Sequence, residues 1–115
     1  MRKIQSLGVL ALTLLWVACN SWPIIIATAQ GIALIDPAAA SLSATSVTLL
    51  QTAEVGYNAY HANPTDTTRQ NYANAIEAIE TQIPADLAAL KLPATVAPRV
   101  EAAVNIILDW VEAKR

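Results

Sequence analysis

Few side chains in this 115-residue chain have the type and spacing for chemistry. His61 is the only histidine. A metal site needs several ligands, and one distant cysteine leaves His61 without candidate co-ligands, so it is expected as a surface or capping residue near a helix end. Glu77 and Glu80 stand at i, i+3, and Asp109 and Glu112 repeat that spacing. Carboxylate pairs do acid–base work when they face each other across a cleft. Pairs on one helix, off its apolar seam, are expected to be solvated. The serines and threonines have no base that spacing identifies, and no Gly-rich phosphate loop is present. The expectation is a protein that is not an enzyme, with no metal and no cofactor.

The more informative group is Tyr57, Asn58, Tyr60, His61, Asn63, Asn71, Tyr72 and Asn74. It flanks Asn63-Pro64 and gathers aromatic rings and amides at one end of a helical hairpin. Tyr57, Tyr60, Asn63, Asn71 and Tyr72 are the candidate surface for a protein or glycan partner. The competing reading is a polar hairpin end whose tyrosine rings pack on aliphatic neighbours and keep their hydroxyls wet.

The elements that must position this group are helices. Asp36-Pro37 reads as an N-cap followed by proline at the first helical position. From there Leu42, Ser46, Leu49, Ala53, Gly56 and Tyr60 recur at helical spacing. Asn63-Pro64 ends that helix, and Thr67-x-x-Gln70 fits a capping box for the next. Tyr72, Ile76, Ile79 and Ile83 form the clearest stripe in the chain. Leu87 and Leu90 continue it past Pro84, so one long helix from Asp66 to about Leu90 is expected, kinked or briefly broken at Ile83-Pro84, with two separate helices as the alternative. After the turn at Leu92-Pro93-Ala94, Thr95 is the expected cap of a last helix carrying Val96, Val100, Val104, Ile107 and Val111. Lys114 and Arg115 suit the C-terminal pole of its dipole. No useful strand alternation or repeat appears. The expected fold is all-α: an N-terminal signal or anchor helix, then a three- to four-helix bundle with main helices near 37–62, 66–91 and 95–114, and Ile79 and Ile107 in the shared core.

The N-terminus carries a different message. Arg2 and Lys3 precede an uncharged, mostly apolar run from Ile4 to Ala18, and Cys19, the only cysteine, follows. A basic start, a short apolar stretch and a processing site make an export signal. The run makes a helix of roughly 22 Å at about 1.5 Å per residue, short against a hydrocarbon core of about 30 Å. Three outcomes are open: a cut before Cys19, a cut at the A-x-A site after Ala29, or retention as an anchor. From Asn20 onward five cations stand against nine anions, a net charge of −4. No basic surface remains for phosphate backbones, so nucleic acid is not an expected partner.

Leu15-Trp16-Val17-Ala18-Cys19 resembles the lipobox of bacterial envelope lipoproteins, in which a small residue precedes a cysteine that is diacylated and becomes the new N-terminus. The Ala-rich helical remainder is similar to small envelope proteins for which no activity carries over. The resemblance implies a signal peptide at 1–19, lipidation at Cys19, an apolar connecting segment at 20–36 and a helical domain at 37–115. It implies a bacterial lipoprotein held at the cell-envelope membrane, facing the periplasm or exterior, with a structural or binding role. The alternative is a small membrane-integral protein, holin-like or a filament subunit, that keeps residues 4–35 as its anchor.

One segment fits a lipoprotein tether poorly. Pro23 to Ile35 carries Ile24, Ile25, Ile26, Ile32, Leu34 and Ile35. Leaving six such side chains in water forgoes on the order of 10 kcal/mol, at about 1.5–3 kcal/mol each. The segment is expected to be covered: as a fourth helix, by the bilayer surface, or in a homo-oligomer. A helix apolar all round cannot bury both faces against one small domain, so membrane or oligomer contact is the favoured expectation.

Overall fold

A computed structural model describes residues 21–115 as four α-helices: α1 (Trp22–Ile35), α2 (Ala40–Ala62), α3 (Asp66–Ala89) and α4 (Ala97–Ala113). The signal sequence, the lipobox and the proposed lipidation at Cys19 lie outside the described residues. A single 3-10 turn, Pro37–Ala39, joins α1 to α2. Each helix packs on its neighbours around a ring: α1 on α2 and α4, and α3 on the same two. Trp22 at the start of α1 meets Tyr57 late in α2, Tyr72 early in α3 and Trp110 late in α4. The helices therefore run up-down-up-down, with those four termini at one end.

The segment expected to contact membrane or a second copy is the fourth helix of the bundle. Trp22, Ile25, Ile26, Ala29 and Ile32 are buried, and Ile35 packs against the core from its edge. The other face is exposed on the single chain, with Ile24 at 43% and Leu34 at 90%. The bundle itself buries one side of the helix. Ala29 helps to make this possible, because its small side chain lets α2 approach closely. There the Ser43 hydroxyl donates to the Ala29 carbonyl at 2.7 Å, an interhelical bond inside the core.

The seams of α3 and α4 hold as the periodicity requires. Tyr72, Ile76, Ile79 and Ile83 are buried, and so are Val100, Val104, Ile107 and Val111. On α2 the buried set is Leu42, Ser43, Ser46, Leu50 and Ala53. Leu42, Ser46 and Ala53 hold the expected stripe, which Leu50 widens; Ser43 joins it, and Leu49 and Tyr60 are half-buried. The Ser46 hydroxyl is buried without a partner.

Two local expectations change. The capping box is Thr65-x-x-Thr68, not Thr67-x-x-Gln70. Thr65 Oγ1 accepts from the Thr68 amide at 3.1 Å, and the Thr65 amide donates to Thr68 Oγ1 at 2.9 Å. The helix still begins at Asp66, as expected, with Thr65 as its N-cap. Thr95 does not cap α4; the N-cap position is Val96, and no side chain caps it. The chain instead turns through bonds from the Val96 and Ala97 amides to the Pro93 carbonyl. The expected long helix is present: α3 runs through Pro84 as one element, with Ile83 fully buried and Leu87 packed against the core, so the alternative of two separate helices is not seen. The Asp36 cap is present, accepting from the Ala38 amide at 2.7 Å.

Candidate functional site

The aromatic end of the bundle contains a cleft of about 410 Å³ lined by α2, α3 and the residues that end α4. Gly56 lies beside it, one residue before the lining residue Tyr57. A Cβ at that position would lie 3.3 Å from the Tyr72 Cα, so glycine lets α2 and α3 approach closely beside the cleft. Tyr72 forms the floor. It is buried, and its hydroxyl donates to the Lys114 carbonyl at 2.7 Å, tying α3 to the end of α4. Burial, with Tyr57 nearby as the smaller cause, pushes the Tyr72 phenol up to about 12. It is a neutral donor at physiological pH.

Tyr57 and Tyr60 stand half-buried on the α2 side with His61. The Tyr57 and His61 rings lie 4.2 Å apart between centroids, and Tyr57 meets Tyr72 edge-on at 5.6 Å. Behind them Trp22 packs T-shaped on Trp110 at 4.7 Å. Tilted and edge-to-face pairs of this kind gain energy beyond area burial, so these rings brace one another.

Three cations complete the lining: Arg69, Lys114 and Arg115. Lys114 Nζ lies 5.3 Å from the Trp110 ring centroid and 5.8 Å from that of Tyr57, within cation–π range. Arg69 bonds Asp66 at 3.4 Å. Arg115 bonds Glu80 and reaches Glu112 at 3.4 Å. The Arg115 guanidinium beside Glu80 holds that carboxyl below the ordinary range, while the hydrogen bond and charge of Glu80 push the Glu112 carboxyl up. No carboxylate side chain lines the cleft itself. Aromatic faces, phenol donors and guanidinium groups together suit a ring or an anion, with no nucleophile–base pair among the lining residues.

Of the five residues singled out in the sequence, Tyr57, Tyr60 and Tyr72 come together here. Asn63 and Asn71 do not line the cleft; both are exposed at the hairpin end. Asn63 serves the turn, its carbonyl accepting from Thr68 Oγ1 at 2.8 Å. Sequence reasoning missed Arg69, Lys114 and Arg115 as site residues. The dipole explained the last two adequately, and only the up-down-up-down order brings the end of α4 to the tyrosines. Glu77 is exposed, and Glu80 faces Arg115 rather than Glu77. Among the described residues no cluster of His, Cys, Asp and Glu has metal-binding geometry, and no helix is long and apolar enough to cross a membrane. No family model, curated protein or solved structure matches the chain.

Proposed function

We propose that this protein is a small bacterial envelope lipoprotein, anchored through Cys19, whose non-catalytic helical bundle binds an envelope component at its aromatic cleft. The observation that carries the binding role is the cleft: aromatic walls and three cations converge with no catalytic pair among them. Attachment rests on residue order, with Arg2 and Lys3, the uncharged run Ile4 to Ala18, and Val17-Ala18-Cys19.

The bundle bears on the processing alternatives. A cut after Ala29 removes Trp22, Ile25, Ile26 and Ala29, all of which are core residues. Processing before Cys19 leaves α1 whole. A membrane-integral form would have to anchor through residues upstream of α1, because 22–35 is packed against α2 and α4. Labelling cells with a fatty-acid analogue, followed by intact mass of the mature chain, tests the proposal. The expected result is a lipid-modified N-terminus at Cys19, and an uncut, unlabelled precursor for Cys19→Ala. Normal release of a mature form from Cys19→Ala would refute lipidation.

A further inference from the structure

The cleft lies at the same end of the bundle as the point where the chain enters α1, since Trp22 packs on Tyr57, Tyr72 and Trp110. Only two residues, Asn20 and Ser21, lie between Cys19 and Trp22, so the connection is three Cα–Cα steps. Even fully extended, that connection spans roughly 11 Å at about 3.3–3.6 Å per residue. A lipid on Cys19 therefore holds the aromatic end, and no other, against the bilayer surface. The hairpin joining α2 and α3 extends past the level of Trp22: α2 continues five residues beyond Tyr57, to Ala62, and α3 begins six before Tyr72, at Asp66. At about 1.5 Å per residue the tip overhangs by roughly 8 Å, about what the tether can reach.

The chemistry of this end matches its place. Trp and Tyr settle at the headgroup level of membranes, where one end of the ring is apolar and the other wet. Lys and Arg beside them are attracted to anionic headgroups. Each guanidinium has five N–H donors; Asp66 engages one on Arg69, and Glu80 and Glu112 engage two on Arg115, orienting both groups while leaving donors over. The flank of the bundle offers a poorer contact. The outer face of α1 has no charged residue and exposes only Ile24 and Leu34 as large apolar side chains.

We infer that the bundle stands end-on at the membrane with its aromatic cleft against the bilayer, where Arg69, Lys114 and Arg115 take the phosphate of an anionic phospholipid headgroup. This deepens the envelope-attachment reading and rests on it.

The test uses the processed protein, purified from membranes with its lipid intact and reconstituted in vesicles. One set of vesicles contains phosphatidylglycerol and the other phosphatidylcholine alone. Acylated Cys19 is blocked, so a single nitroxide can be placed through Ala62→Cys at the hairpin tip, Ala94→Cys in the α3–α4 turn, or Gln30→Cys on the outer face of α1. A nickel-chelating lipid at trace level reports proximity to the headgroups. The expected result is strong relaxation at position 62, little at 30 and none at 94. In phosphatidylglycerol, the double substitution Lys114→Gln and Arg115→Gln should lose the effect at 62 while the protein stays vesicle-bound.

Strongest relaxation at 30 would mean that the bundle lies on α1 and would overturn the proposal. So would an unrelaxed label at 62 on bound protein, which would leave the cleft open to a glycan or protein. Equal relaxation at 62 in both vesicle types, unaffected by the double substitution, would mean that the tether alone sets the orientation and would overturn the headgroup site. Protein that fails to float with vesicles at all would instead refute the attachment reading beneath it.

Discussion

The aromatic end and the aliphatic body of this bundle are stabilised in different ways. In the body, Ile32, Leu42, Leu50, Ile76, Ile79, Ile83, Val104 and Ile107 are almost completely buried. That part is held by volume and by non-directional exclusion of water. At the end, four rings, one phenol bond and two arginine clamps do the work, and they leave a cleft between them. A core of small aliphatic side chains closes completely and has no room for a ligand. Large flat rings packed at steep angles hold their positions while leaving space, so a small bundle can combine stability with a binding surface.

The contrast can be broken first at Trp22. Trp22→Ala should cost about 3–5 kcal/mol in urea unfolding, since it removes the ring shared by α1, α2, α3 and α4. It should also loosen Tyr57 and Tyr72 together, visible as line broadening of their ring signals by NMR. An unchanged midpoint would mean that the aromatic end adds nothing to the fold.

Ile79→Ala and Ile107→Ala probe the body. Both side chains are fully buried, and each truncation should cost about 2–5 kcal/mol while leaving the Tyr57 and Tyr72 ring signals in place. A loss below about 0.5 kcal/mol at both, the scale of ordinary surface changes, would show that the seam faces elsewhere.

The smallest effect separates the two regions most cleanly. Tyr72→Phe keeps the ring and loses the bond to the Lys114 carbonyl, at a cost of about 0.5–1.5 kcal/mol. It should also alter the alkaline limb of stability. The Tyr72 phenol ionises near 12 in the fold and at about 10 when unfolded. The folded state therefore holds a proton that the unfolded chain gives up first. Its contribution is complete below about pH 10 and is lost as pH rises from there through about 12. Unfolding measured across that range should fall more steeply for the native protein than for Tyr72→Phe. Parallel curves would mean that the phenol is not held neutral by the fold.

The two regions were also unequally legible in the sequence. The body of α3 and α4 could be read directly, because Tyr72, Ile76, Ile79 and Ile83, and Val100, Val104, Ile107 and Val111, alternate with polar residues at helical spacing. α1 could not be oriented that way. With apolar residues on every side, Pro23 to Ile35 carries no period, and only the packed bundle shows Trp22, Ile25, Ile26, Ala29 and Ile32 as its inner face. At the site, the three tyrosines were legible because they flank one turn. Their cationic partners were not. Arg69 looked like an ordinary exposed residue of a first turn, and Lys114 and Arg115 were already accounted for by the helix dipole. Trp22 and Trp110 join the site only through the antiparallel closure of the whole ring of helices, a contact no local spacing records.

Pro84, inside α3, has a consequence for motion. A proline has no amide hydrogen to donate to the carbonyl four residues earlier, here that of Glu80, whose side chain clasps Arg115. The helical hydrogen-bond ladder is interrupted just beyond the point where α4 is fastened to α3. Openings that start at the Leu90 end of α3 meet this gap before they reach the cleft. Amide exchange should therefore divide the helix into a faster segment at 85–89 and a slower one from Tyr72 to Glu80, so that fraying at the far end leaves the binding end undisturbed.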